Sequence, residues 1–167
     1  MALEKWGGTS PFGLLRYAED YRRAAEALHA SEPSSFAPPK YSLIGQSIEL
    51  SLKAFIRSRG VPIEHFGKKK MKLGHDLAEL LENAKHRRLD RIVELWSDEE
   101  STILAINEPY RDHLFRYIKN GAMSLPNWND LMMVASHLTK GLHNHCLRST
   151  LGAPVGKATA IARKSCF

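Results

Sequence analysis

The segment 107–119 holds the densest set of side chains able to recognise an anion and a base. Two arginines and a lysine in it can hold phosphate oxygens, and two tyrosines can stack on a nucleobase. These five residues are Tyr110, Arg111, Arg116, Tyr117 and Lys119. The same pattern fits an amphipathic element whose apolar side chains enter a core while its charges remain in water. Both interpretations stay open at the level of the sequence.

A second polar set lies in the segment 41–56, at a spacing that places it on one helix face. Gln46, Glu49 and Lys53 follow one another at i, i+3 and i+7, and a parallel apolar stripe lies beside them. The apolar residues are Ile44, Ile48, Leu52 and Phe55. Glu49 and Lys53 are also spaced for a simple i, i+4 ion pair on a helix. That pair gives the stripe a purely structural interpretation.

The third feature is the sequence Gly-His-Asp-Leu at residues 74–77, which predicts the start of a helix. His75 and Asp76 stand where a side chain can cap the helix, and a carboxylate there is favoured by the positive end of the helix dipole. Leucine and alanine then recur at the spacing of a core-facing stripe. Capping is therefore the structural alternative to a role in binding or catalysis.

The polar stripe beside an apolar one, followed by this helix start, resembles the HEPN domains of prokaryotic helical bundles. The resemblance covers roughly the middle third of the chain, residues 41–81. It implies that the stripe faces an inner groove and forms a semi-buried polar network with His75 and Asp76. It also implies a homodimer, a nucleotide or RNA as ligand, and a stress, defence or toxin–antitoxin role with an antitoxin-type protein partner.

Together these segments predict a ligand-binding groove between helices. Its predicted lining residues are Gln46, Glu49, Lys53, His75, Asp76, Tyr110, Arg116, Tyr117 and Lys119. The main prediction is thus a module that binds nucleotide or RNA. A domain that only dimerises and holds a partner protein is an alternative.

A metal-independent ribonuclease-like toxin is the other alternative, and it needs a nonstandard arrangement. Many HEPN ribonucleases carry an arginine followed by four to six residues and a histidine, late in the bundle. The spacing is absent after Arg111 and after Arg116, and it occurs on the first predicted helix, where Arg22 or Arg23 precedes His29. The remaining candidates for charge stabilisation and proton transfer are Arg111, His113 and Arg116. In one helix Arg111 and His113 would point about 200° apart.

Metal and cofactor sites are not predicted. Four potential metal ligands cluster late in the chain, His137, His143, His145 and Cys146, but His143 and His145 diverge by about 200° on a helix. No second pair of histidines or cysteines stands at the spacing of a zinc site. We therefore expect neither metal nor cofactor.

The bulk properties bound the class of protein. The chain has 167 residues and a net charge of +6, which suits one domain with its own core and permits polyanion binding. We expect a single domain at 1–150 and a basic, flexible or partner-bound tail at 151–167. No apolar run approaches the ~20 residues that cross a bilayer, so no membrane partner is expected. Two cysteines make no disulfide framework and favour a reducing cytoplasm.

The elements that must position these residues are all helical. Capping residues, proline, glycine and apolar periodicity predict helices, and no segment alternates with the period of a strand. Ser97 with Glu100 forms a capping-box pattern at the start of one helix. The predicted helices span 11–30, 39–59, 75–85, 89–95, 97–106, 110–119 and 126–146. The expected fold is an all-α, HEPN-like, up-and-down bundle of four to six helices.

Overall fold

The computed structural model describes residues 9–33, 37–67, 74–115 and 124–152. Within these ranges the chain forms five α-helices, two short 3-10 helices and no strand, so the predicted all-α fold is confirmed. The α-helices are α1 (Pro11–Ser31), α2 (Pro38–Ser58), α3 (Leu77–His86), α4 (Ser97–Arg111) and α5 (Trp128–Leu151). The 3-10 helices are Ile63–Gly67 and Leu89–Arg91. All but two residues of the predicted C-terminal tail lie outside the described ranges.

Helix α2 is the centre of the molecule, because it packs against each of the other four α-helices. Its apolar stripe is completely buried, as expected from the periodicity. The stripe consists of Ile44, Ile48, Leu52, Phe55 and Ile56. Two members of the polar stripe on the same helix, Glu49 and Lys53, are buried as well, and Gln46 is half-buried. A helix buried on both stripes must find partners for its charges within the protein.

Helices α1, α2 and α5 form one packed unit whose directions follow from contacts at their ends. The His29 ring near the end of α1 stacks on Trp128 at the start of α5, with centroids 4.7 Å apart. The Phe12 N–H at the start of α1 donates to Thr150 Oγ1 at the end of α5, 3.1 Å away. Helix α1 therefore runs antiparallel to α5.

Helix α2, in contrast, runs in the same direction as α5. Tyr41 near its start contacts Trp128 edge to face at 5.7 Å, and Ser58 at its end lies 2.8 Å from Nε2 of His145. The predicted up-and-down order requires neighbouring helices along the chain to alternate in direction throughout. The observed directions of α2 and α5 do not fit this strict alternation. The long connection between α2 and α3, at residues 59–76, gives the chain room to return before the next helix.

Helices α3 and α4 form an antiparallel hairpin beside this unit. Lys85 at the end of α3 pairs with Glu100 near the start of α4 at 2.7 Å. At the other end of the hairpin, the Leu77 N–H donates to Asn107 Oδ1 at 2.7 Å. The hairpin thus places the beginning of α3 next to the last turn of α4, where both contact α2.

The start of α4 differs by one residue from the prediction. Trp96 is the N-cap residue, so Ser97 is the first helical residue. The reciprocal carboxylate is that of Glu99, which accepts a hydrogen bond from the Trp96 N–H at 3.0 Å. Glu99 also contacts Nδ1 of His137 on α5 at 2.8 Å. This contact with another helix favours Glu99 over Glu100 as the capping carboxylate. The spacing of residues along the chain could not have predicted it.

The predicted break at Pro109 is wrong, and the helix predicted at 110–119 is not formed at residues 112–115, which are turns. Residues 116–119 of that prediction lie outside the described residues. Helix α4 continues through Pro109 and ends at Arg111. The proline removes one hydrogen bond, the one to the carbonyl of Ala105, and only two helical residues follow it. His113 then adopts a left-handed conformation with φ of 56°. Its N–H donates to Tyr110 O at 3.1 Å, and the Leu114 N–H donates to Pro109 O at 2.9 Å, which is the Schellman pattern of a helix C-terminus.

Candidate functional site

The site is built on the buried carboxylate of Glu49, in the middle of α2. Its side chain is 2% exposed and contacts three donors from three parts of the chain. The Lys53 amine donates to Oε1 at 2.6 Å, the Tyr110 hydroxyl donates to Oε2 at 2.6 Å, and His75 Nδ1 lies 2.9 Å from Oε2. The polar stripe of α2 is therefore joined to the start of α3 and the end of α4.

Gln46 completes the network through the Tyr110 hydroxyl, which lies 2.8 Å from its side-chain amide. A hydroxyl has one proton, and the shorter contact to the ionised Glu49 takes it. The atom of Gln46 that the hydroxyl approaches is the amide oxygen Oε1. Tyr110 thus links the amide to the carboxylate.

Gly45 allows Tyr110 to approach α2 this closely. The tyrosine ring lies directly on the glycine, so a methyl group at position 45 would be 2.7 Å from Cε2 and 3.0 Å from Cγ of the ring. Neither distance is compatible with van der Waals contact. The glycine is therefore part of the site, although it has no side chain.

Gly45→Ala is expected to destabilise the protein by up to about 2 kcal/mol. Overpacking costs about 1–3 kcal/mol, and the higher helix propensity of alanine returns only about 1 kcal/mol. Urea denaturation monitored by circular dichroism measures the difference. Gly74→Ala is the matched control, because a methyl group there meets nothing within 4 Å. Equal stabilities of the two variants would contradict the close packing of Tyr110 on α2.

The ionisation of Glu49 depends on its donors. Burial by itself raises the pKa of this carboxyl, but the hydrogen bond from His75, the charge and hydrogen bond of Lys53 and the hydrogen bond from Tyr110 outweigh it. The pKa of Glu49 therefore lies below its ordinary value, and the group is an anion at neutral pH. Lys53 also lies over the Phe66 ring, with its amine 5.8 Å from the ring centroid.

This lowered pKa makes the stability depend on pH in acid. A carboxyl with a lower pKa in the folded state stabilises the protein fully above its unfolded pKa of about 4.3, and the contribution disappears as the pH falls through the folded value. Glu49→Gln removes this contribution, so the variant is expected to lose less stability than the parent between about pH 5 and pH 3. Urea titrations across this range measure both slopes. A parallel decline in the two proteins would refute the assignment.

Asp76 forms the second half of the site, at the N-cap of α3. Its Oδ1 accepts hydrogen bonds from the Glu79 N–H and from Asn107 Nδ2, both at 3.1 Å, and its Oδ2 contacts the Arg111 guanidinium at 3.3 Å. Partial burial raises the pKa of Asp76, but these hydrogen bonds and the charge of Arg111 together lower it. The capping interpretation is correct for Asp76, which also holds Arg111, whereas His75 contacts Glu49 instead of capping the helix.

Three side chains stand on the solvent side of this network: His75, Arg111 and His113, which we call the two-histidine cluster. The imidazole rings of His75 and His113 meet edge to face, with centroids 5.7 Å apart. The His75 side chain is 50% exposed and that of Arg111 is 44% exposed. Because Glu49 engages Nδ1 of His75, the Nε2 atom of this ring is left for another group. Two imidazoles and a guanidinium can bind a phosphate and can move protons beside it.

His113 adopts this position at the expense of backbone strain, since a left-handed conformation is unfavourable for residues with a Cβ. His113→Gly is expected to raise the free energy of unfolding by about 0.5–1 kcal/mol relative to His113→Ala. Thermal denaturation of both variants measures this difference. Arg88, with φ of 65°, provides an independent control, because the same glycine and alanine pair there must give a difference of the same sign. A negative difference at position 113 would contradict the strained cap.

The structure brings together most of the predicted site residues. The network around Glu49 and Asp76 and the two-histidine cluster contain Gln46, Glu49, Lys53, His75, Asp76, Tyr110, Arg111 and His113. Arg116, Tyr117 and Lys119 lie outside the described residues. Gly45 and Asn107 were not predicted as part of the site. Asn107 could have been suspected, because a polar amide lies inside a predicted helix. No feature of the sequence around Gly45 indicated that a side chain would pack on it.

The late histidines diverge, as their spacing predicts. His143 contacts Phe12 edge to face at 5.3 Å, and His145 lies against Phe55 and Ser58. Cys146 is completely buried, and burial raises the pKa of its thiol to about 12, so the thiol is unreactive near neutral pH. Across the described residues, no three His, Cys, Asp or Glu side chains lie together as a metal site requires.

Comparisons of the whole chain with family models, curated proteins and solved structures gave no match. Every helix in the described part of the chain is too short or too polar to span a bilayer. The function of the chain is therefore inferred from the chemistry of its residues and their arrangement.

Proposed function

We propose that this chain is a HEPN-like helical domain that binds a nucleotide or RNA through the two-histidine cluster. The observation that supports the proposal is the clustering of exposed His75 and Arg111 with half-buried His113 over a buried, fully paired anion. Glu49 orients His75, and Asp76 and Asp112 hold the Arg111 guanidinium at 3.3 Å and 3.0 Å, so these groups are preorganised. Preorganised cationic and polarisable groups recognise phosphate and nucleobase without a large ordering cost.

Binding of a short single-stranded RNA and of AMP tests the proposal, with fluorescence anisotropy for the RNA and calorimetry for AMP. The RNA affinity should fall steeply with salt, because phosphate neutralisation releases counterions. Arg111→Gln should weaken RNA binding about tenfold and lower the magnitude of the logarithmic salt slope by about one.

Arg88→Gln is the matched control for that experiment. Arg88 is also an exposed arginine paired with a neighbouring aspartate, Asp90, at 2.8 Å, but it lies between α3 and α4 at the far end of the hairpin. Its replacement removes the same charge without touching the cluster. Equal losses in both variants, or no binding by the parent protein, would overturn the proposal.

A metal-independent ribonuclease is the second candidate function. It is favoured by the 5.7 Å between the ring centroids of His75 and His113, which places two imidazoles beside one another. In this reaction one neutral histidine takes the proton of the RNA 2′-hydroxyl, whose oxygen attacks the adjacent phosphorus. The second, protonated histidine donates a proton to the leaving 5′-oxygen, and Arg111 stabilises the charge that develops on phosphorus. The products are a 2′,3′-cyclic phosphate and a free 5′-hydroxyl, so protons and charge balance without another reactant.

Cleavage of RNA in the presence of EDTA tests this candidate. General acid and base groups contribute about 100- to 10,000-fold each, so His75→Ala and His113→Ala should each reduce the rate at least 100-fold. The rate should follow a bell-shaped pH profile. His86→Ala is the control, because His86 is an exposed histidine on α3 that contacts only Glu82 among its acidic neighbours in the described chain. An unchanged rate in both cluster variants eliminates the ribonuclease.

The homodimer and the antitoxin-type protein partner belong to the same proposal, since the resemblance to HEPN domains implies both. Sedimentation equilibrium of the purified chain tests the dimer. A monomer at tens of micromolar concentration would remove the dimer from the proposal and leave RNA binding to be judged by its own experiment.

A further inference from the structure

A second recess lies away from the two-histidine cluster, between the first turns of α1 and the second half of α5. Its volume is about 450 Å³, which is within the usual range for small-molecule sites. Residues 12, 15, 16 and 19 share one face of α1, and residues 139, 140, 143 and 144 share one face of α5. We call this recess the α1–α5 groove; its lining residues are Phe12, Leu15, Arg16, Glu19, Thr139, Lys140, His143 and Asn144.

The floor of the groove is apolar and partly aromatic. Leu15 is buried, and the Phe12 ring is held edge on against His143 at 5.3 Å. The Phe12 N–H is bound to Thr150 Oγ1, so both helices hold this end of the groove in place. A flat apolar group can therefore lie between the two helices against these rings.

The rim of the groove is cationic. Arg16 and Lys140 are exposed on opposite helices, and in the described part of the chain neither has an acidic partner. Glu19 is the one acid in the lining, and Arg22 binds both of its oxygens, at 2.7 Å and 3.0 Å. The two unpaired cations thus face the recess without a competing free carboxylate.

We propose that the α1–α5 groove binds a small organic anion with a flat apolar body, of the aryl phosphate or aryl carboxylate type. The anionic head lies between Arg16 and Lys140, and the body lies on Phe12 and Leu15. The His143 ring and the Asn144 amide provide polar contacts at the rim. This site is independent of the function proposed for the two-histidine cluster.

Calorimetric titration with phenyl phosphate tests the proposal, together with two partial probes. Benzyl alcohol retains the flat body without the charge, and inorganic phosphate retains the charge without the body. Phenyl phosphate is expected to bind at least tenfold more tightly than either. Equal affinity for inorganic phosphate would show an unspecific ionic contact and overturn the proposal, and equal affinity for benzyl alcohol would overturn the role of the cations.

Variants then locate the site. Arg16→Gln and Lys140→Gln should each weaken phenyl phosphate binding about tenfold, and Arg91→Gln, an equal change of charge at another exposed arginine, should leave it unchanged. Thermal denaturation confirms that the surface substitutions keep the fold. If Arg111→Gln abolishes phenyl phosphate binding while Arg16→Gln does not, the probe binds at the two-histidine cluster and the groove proposal fails.

Discussion

Replacing Glu49 by alanine is expected to lower the free energy of unfolding by about 3–5 kcal/mol, the range for removing one partner of a buried ion pair. The side chain of Lys53 is only 10% exposed, so its charge would lose its partner in a poorly solvated place. The Tyr110 hydroxyl would lose its best acceptor at the same time, which adds a desolvation cost. Urea denaturation at pH 7 measures the loss.

Two further variants separate the pair from the general effect of a shortened side chain. Glu82→Ala makes the same change at an exposed position of α3 and should alter stability by less than about 0.5 kcal/mol. The double variant Glu49→Leu with Lys53→Met removes both charges and should recover most of the loss, because an apolar pair has no desolvation cost. If Glu49→Ala costs no more than Glu82→Ala, the carboxylate is not the buried anion on which the site depends.

The sequence predicted the helices well wherever the signal was local. Ser10 and Pro11 mark the start of α1, and the Ser10 hydroxyl accepts a hydrogen bond from the Gly13 N–H at 3.0 Å. The apolar period predicted the buried stripe of α2, and the Gly-His-Asp-Leu start predicted the cap of α3 by Asp76. Each of these signals acts within one or two turns, which is the range over which propensity and capping operate.

The errors came from contacts between distant parts of the chain. Pro109 appeared to end α4, but the helix continues because Tyr110 binds Glu49 and packs on Gly45 of α2. The left-handed His113 then ends the helix, although glycine is the residue expected there. The spacing of apolar residues cannot predict the contacts of Tyr110 with α2 or the helix end at His113. The prediction that Arg111 and His113 diverge on one helix was also wrong. His113 lies beyond the end of α4, so the two residues do not share a helix.

The sequence predicted which residue types form the candidate site and which of them are partners. It could not predict the geometry of the site. Polar residues at one spacing on α2 and at the start of α3 were expected to form a network, and they do. Which of the donors reaches Glu49 depends on how α3 and α4 cross α2, and that is decided by core packing rather than by the polar residues themselves. The central position of α2 is therefore the physical basis of the site.

Phe55→Ala tests that dependence, and its expected cost is about 3–5 kcal/mol. Phe55 is completely buried in the second half of α2, and its ring contacts His145 of α5 at 5.7 Å and lies beneath Arg59 at 5.0 Å. Truncation leaves a cavity where α2 meets α5, because a helix held by contacts with all four other α-helices cannot move into the space. Tyr17→Ala is the matched control: this aromatic residue on α1 is 62% exposed and should change stability by less than about 0.5 kcal/mol. Denaturation curves for the two variants measure the contrast, and similar curves would show that α2 does not carry the core that holds Glu49 in place.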